Sequence, residues 1–81
     1  MPIVSRMRQR VVNGPSIRAI RELLGVSISA FAPRCGVSQG YLSRVELGDK
    51  QPSPTALRAI ADALGVPLDA ISYVVTLEDV A

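Results

Sequence analysis

The sequence predicts an all-α fold of five short helices, with a strand expected at each end. Three observations carry that expectation. Serines stand directly before apolar-periodic segments at Ser16, Ser27, Ser38 and Ser53. Glycines close the same segments at Gly25, Gly36, Gly48 and Gly65. A serine hydroxyl accepts a bond from a first-turn N–H, and glycine takes the left-handed conformation that ends a helix. The strand-like runs, by contrast, lie outside these segments, at 7–12 and 72–77.

Taken in order, residues 1–6 offer little to bury and read as loose. In 7–12 arginines alternate with other residues, which suits a strand. Asn13-Gly14-Pro15 stops it. Ser16 then caps a first helix through Leu24, with Ile17, Ile20, Leu23 and Leu24 as its inner stripe. The second helix, over 28–35, contains Pro33. That residue lacks an N–H and crowds the carbonyl of Ser29, at a penalty of ~3 kcal/mol in a helix interior. A kinked or shortened helix is expected.

Ser38 caps the third helix, over 38–47, and Gly48 ends it. Its apolar positions Leu42 and Val45 share one side, whereas Gln39, Ser43 and Arg44 point elsewhere. Ser53 caps the fourth helix with Pro54 at its first position. Leu57, Ile60, Ala61 and Leu64 form its buried stripe. A fifth, short helix over 67–71 packs Leu68 and Ile71. The run 72–77 is β-branched and aromatic and is not stable as a lone strand. It is expected to pair with 7–12, either within one chain or between two, in which case the ends build a dimer.

At 81 residues the chain reads as one domain: a basic strand or arm over 1–14, a helical core over 16–71, and a strand with an acidic tail over 72–81. That size makes a single core marginal, and pairing of chains is a common remedy. No apolar run approaches the ~18 residues of a membrane span, and no secretory leader is visible, so a cytoplasmic location is expected. There is no His, and Cys35 is the single cysteine, so neither an internal disulfide nor a zinc site is expected. The carboxylates are scattered. These features exclude the usual catalytic constellations, and no cofactor or metal is expected.

Net charge is only +2, but it is unevenly placed. Residues 1–21 hold Arg6, Arg8, Arg10, Arg18 and Arg21 with no acid, and 61–81 hold Asp62, Asp69, Glu78 and Asp79 with no base. One end is suited to an anion, although the two ends also attract each other. The arginines at 6, 8 and 10 read either as an arm over DNA or as the solvated face of a strand. The arm suits Arg6 and the strand face suits Arg8 and Arg10.

The third helix carries the functional expectation. Gln and Arg each present two hydrogen-bonding groups in one plane, which is what base edges require. A helix with an anchored inner face and a polar outer face suits a major groove. An ordinary amphipathic surface helix is the alternative. The second helix tips the balance, because two capped helices joined by the short Gly36-Val37 link form a helix-turn-helix.

Residues 16–72, about seven-tenths of the chain, resemble the phage repressor/Cro-like helix-turn-helix family, the XRE family. The matching residues are Ile17, Arg18 and Arg21, Gly25-Val26-Ser27, Gly36-Val37-Ser38, Tyr41-Leu42-Ser43-Arg44-Val45-Glu46, Gly48, Pro52-Ser53, and the segment 61–68. The resemblance implies a five-helix, lambda-repressor-like domain that binds double-stranded DNA as a regulator of transcription. It implies that Gln39 and Arg44 face base edges and that Gly40 fills the place of another reader. Ser43 is expected as a helper. Backbone N–H groups at Ser27 and Ser38, together with Lys50, are expected at phosphates. The Tyr41 ring packs at the turn or its hydroxyl reaches a phosphate.

Arg21 and Glu46 match a structural ion pair of the family, and Cys35 stands where it usually has a buried Leu. A core role is expected for Cys35, with redox sensing as the alternative. Two departures are plain: Ile28 replaces a phosphate-touching Gln, either losing the contact or turning an apolar residue to a partner, and Pro33 interrupts the second helix.

The leading expectation is a homodimeric, sequence-specific repressor on a two-fold symmetric site. A protein-interaction module, antitoxin-like or scaffold, with weak DNA binding is the other. An enzyme is not expected.

Overall fold

The computed structural model describes the backbone of residues 4–80 and the side chains of residues 7–77. The elements are strand β1 (Val4–Val12), helices α1 (Gly14–Leu23), α2 (Ile28–Arg34), α3 (Gln39–Leu47) and α4 (Pro54–Leu64), a 3₁₀ turn (Leu68–Ala70) and strand β2 (Ser72–Val80). The fold is mostly helical, with four α-helices and a small antiparallel sheet.

Helix α1 starts earlier than the sequence suggests. Asn13, not Ser16, is its cap, and the Asn13 side chain accepts from the Ser16 N–H at 3.2 Å. Pro15 is admitted because a first-turn N–H has no partner inside the helix. The inner stripe becomes Gly14, Ile17 and Arg21, with Ile20 half-buried. Leu23 and Leu24, expected inside, are 86% and 55% exposed. Leu23 lies about 120° round the helix from Ile17, and Leu24 is already the C-cap.

Gly14 allows this packing. A Cβ there would collide with the backbone carbonyls of Val45 and Glu46, so the start of α1 lies directly against the end of α3.

Helix α2 is shortened to seven residues and ends one residue after Pro33. Helices α3 and α4 run as expected: the Ser38 and Ser53 hydroxyls accept from the N–H of Tyr41 and Ala56, and Gly48 and Gly65 are left-handed. The expected fifth helix is only a three-residue 3₁₀ turn. Pro67 precedes it and β2 begins at Ser72, which leaves room for two i→i+3 bonds, at 3.0 and 3.1 Å. Ile17, Phe31, Leu42, Val45, Ile60 and Ile71 are the largest fully buried side chains, at the centre. Cys35 is buried among them, as a core role requires.

The two terminal strands pair within the one chain, from Val12 opposite Ser72 to Val4 opposite Val80. Residues 4–6, read from the sequence as loose, belong to this ribbon, while residues 1–3 lie outside the described residues. The ribbon stretches the molecule to 55 × 21 × 18 Å, with a radius of gyration of 14.9 Å. A compact chain of this length would give about 12 Å.

Even-numbered positions of the ribbon turn toward the helices at its base, where Val12 and Ser72 are buried. Odd-numbered positions, Met7, Gln9, Val11, Tyr73, Val75 and Leu77, form a face that is apolar but for Gln9 and is exposed or half-buried. Arg10 donates to Asp69 at 2.9 Å and to the Ser72 hydroxyl at 3.0 Å, joining the basic and acidic ends. Arg8 is on the solvated ribbon, while an arm role for Arg6 falls outside the described side chains.

The outer edge of β1 is occupied at its base by one side chain. The Gln51 amide accepts from the Val12 N–H at 3.2 Å and donates to the Arg10 carbonyl at 3.4 Å.

Candidate nucleic-acid interface

The surface begins with the separation of faces on α3. At 3.6 residues per turn, Gln39, Gly40, Ser43, Arg44 and Leu47 fall within an arc of about 140°. Leu42 and Val45 lie on the opposite side and Glu46 next to Gln39 at the strip's edge, and all three are buried, while Gln39, Gly40, Arg44 and Leu47 are exposed and Ser43 is half-buried. Four of the expected site residues therefore share one solvent-facing strip. Leu47, 65% exposed, belongs to it and was not among the expected readers. Its three-residue spacing from Arg44 was the available signal.

The flank of the strip is a shallow concavity of about 360 Å³ lined by Ser38, Gly40, Tyr41, Arg44 and Lys50. The Ser38 hydroxyl accepts from the Tyr41 N–H at 3.1 Å. A capped helix start still presents its first N–H groups outward, and these favour an anion. Lys50 reaches over the Tyr41 ring, 5.4 Å from its centre, so one cation stands beside that helix start. No Cβ contact limits Gly40, so another molecule's backbone can approach α3 closely there. Arg44 has no ion-pair partner among the described residues, so its guanidinium is free for an outside acceptor.

The remaining expected residues lie on α2 or behind α3. Ser27 caps α2, accepting from the Ala30 N–H at 3.2 Å. Ile28 is half-buried and packs against the core, so it neither replaces a polar contact nor stands wholly open to a partner.

Behind α3, Arg21 donates to both Glu46 carboxylate oxygens, at 2.8 and 3.0 Å, and to the Val26 carbonyl at 2.8 Å. The hydrogen bond to Glu46 raises the Arg21 pKa still further. Glu46, at the edge of the strip, thus has its charge answered by a buried partner. Burial pushes the Cys35 thiol up to about 11, with Glu46 adding to the shift. It is a neutral, apolar filler at ordinary pH.

An anchored second helix, an open, mostly polar strip and a cation beside its start define a helix-turn-helix domain. The helix-turn-helix family profile matches residues 17–71, and the chain belongs to that XRE-type family. It is 45% identical over 58 residues to an uncharacterized HTH-type transcriptional regulator of Mycobacterium tuberculosis, covering 72% of this chain and 41% of that protein. It is 33% identical over 61 residues to the HTH-type transcriptional repressor RghR of Bacillus subtilis, covering 74% and 45%. The chain thus spans under half the length of these curated relatives.

Among solved structures, the clp gene regulator ClgR of Corynebacterium glutamicum is similar with a TM-score of 0.67 and 36% identity, covering 70% of this chain and 62% of that one. The restriction-modification controller protein C.AhdI of Aeromonas hydrophila is similar with a TM-score of 0.68 and 26% identity, covering 70% and 86%.

Proposed function

We propose that this protein is a sequence-specific regulator of transcription that binds double-stranded DNA as a dimeric repressor. The observation that carries the reading is the exposed strip of α3, where Gln39 and Arg44 stand free with Gly40 between them. Gln39 pairs with an adenine edge and Arg44 with a guanine edge, each contributing ~1–3 kcal/mol of discrimination. Ser43 assists, and Leu47 supplies an apolar contact of the kind thymine methyls accept.

The helix starts at Ser27 and Ser38, with Lys50 and the Tyr41 hydroxyl, hold phosphates. One such helix buries little surface, and non-specific contact alone gives micromolar or weaker binding. Two copies on half-sites about 34 Å apart supply the rest. No described helix is long and apolar enough to cross a membrane, and a cytoplasmic site of action suits the reading.

A second reading, an antitoxin-like or scaffold module that grips another protein, draws support from the exposed apolar face of the ribbon. Selection from a pool of random duplexes at two salt concentrations separates the two. Enrichment of a palindromic site by the wild type, lost in Arg44→Ala, is expected. Salt-sensitive binding without enrichment, the same in both proteins, would overturn the regulator in favour of the module.

A further inference from the structure

The ribbon has two long edges, and the structure treats them differently. The Asn13 N–H donates to the Ile71 carbonyl, so odd-numbered positions bond inward across the ladder. Even-numbered positions bond outward, as the Gln51 contacts to Val12 and Arg10 show. On β1 the outward positions beyond Gln51 are Arg8 and Arg6, so pairing β1 with its own copy would set arginines against arginines.

The outward positions of β2 are Ser72, Val74 and Thr76, followed by Glu78. Between Ser72 and Leu77 there is no charge, no proline and no glycine. Among the described residues no backbone hydrogen bond reaches this outer edge. A long, uncharged, β-branched edge is a template for another strand, and a two-stranded sheet is marginal without one.

We propose that the outer edge of β2 pairs antiparallel with the same edge of a second copy, across a two-fold axis at Val75. A continuous four-stranded sheet results. Val74 and Thr76 then exchange bonds with Thr76 and Val74 of the other copy, the outward pattern that the ladder requires. On the apolar face Val75 meets Val75 and Tyr73 meets Leu77. On the other face Glu78 comes opposite Ser72, whose hydroxyl is held by Arg10, which also pairs with Asp69. A shift of the axis to Thr76 would instead set Tyr73 against Asp79. The interface gives the dimeric reading above its partner surface, and it forms whether or not α3 reads bases.

The register has a direct test. A non-hydrogen-bonded antiparallel pair holds its Cα atoms about 4.5 Å apart, inside the range a disulfide bridges. Under mild oxidation Val75→Cys is expected to form a covalent dimer, while Val74→Cys, on the other face and opposite Thr76, is not. The native Cys35 is buried and stays out of the reaction. In sedimentation the full chain is expected near twice 8.6 kDa. Thr76→Pro, which removes one outward donor at an edge that tolerates proline, is expected at the monomer mass with unchanged helical circular dichroism.

A monomeric wild type, equal cross-linking of the two cysteine variants, or preferred cross-linking at Met7→Cys would each overturn the proposal. Arg44→Ala is expected to dimerise normally, so loss of base reading and loss of the interface are told apart.

Discussion

Arg21 and Glu46 meet in a two-pronged ion pair behind α3, and the arginine's third bond, to the Val26 carbonyl, ties α1 to the loop that enters α2. Both side chains are buried. The pair therefore sets the height of α3 on the body of the protein while it answers the charge of a carboxylate at the edge of the exposed strip.

Removal of one partner strands the other. Arg21→Ala is expected to cost about 3–5 kcal/mol, whereas Arg21→Met with Glu46→Leu is expected to cost less than the single change. Thermal unfolding of the two variants beside wild type checks the order. A double variant less stable than Arg21→Ala would contradict it.

Two glycines should respond in opposite directions. Gly14→Ala places a methyl against the carbonyls of Val45 and Glu46 and should destabilise by about 1–3 kcal/mol, although alanine is the better helix former. Gly40→Ala meets open space and should gain roughly 0.5–1 kcal/mol. DNA titration of Gly40→Ala should nonetheless show weaker binding, because the methyl intrudes where close approach is needed.

Lys50 and Arg44 should separate affinity from specificity. Lys50→Ala should lower binding to all duplexes alike and reduce the slope of log affinity against log salt by about 1. Arg44→Ala should narrow the gap between preferred and random duplexes by about 1–3 kcal/mol. Titrations at several salt concentrations measure both.

The thiol of Cys35 gives a pH dependence at the alkaline end. Its pKa rises from 9.0 in the unfolded chain to about 11 in the fold, so between those values the unfolded chain has released a proton that the folded chain keeps. Stability should be full below pH 9 and fall as pH rises through that window. Urea titrations at pH 8 and pH 10.5 should show the decline, and Cys35→Ala should lack that part of it.

Much of this fold was legible because helix ends are local. Ser27, Ser38 and Ser53 each bond a backbone N–H three residues on, and Gly48 and Gly65 each turn the chain without help from afar. The buried stripe of α4 follows its apolar spacing.

The start of α1 was hidden because its inner face carries, beside Ile17, a glycine and an arginine. Gly14 is chosen by the carbonyls of α3 and Arg21 by Glu46, and neither partner is near in sequence. Leu23 and Leu24 looked like core for the same reason: apolar character does not reveal which side a neighbour covers. Of the candidate site, spacing gave only that Gln39, Ser43 and Arg44 point away from the apolar side of α3; their roles came from the family resemblance. The Gln51 contacts with β1 depend on a loop meeting a strand about forty positions away, and no periodicity carries that.

On the proposed pairing, the Gln51 amide also decides how far an assembly grows. A ribbon with two open edges can add copies without limit, and its natural product is a fibre. Here one edge is occupied at its root and lined with like charge farther out, so only the other accepts a strand. Growth by the proposed pairing closes at two chains, and what would have been an aggregation hazard becomes a point-group constraint.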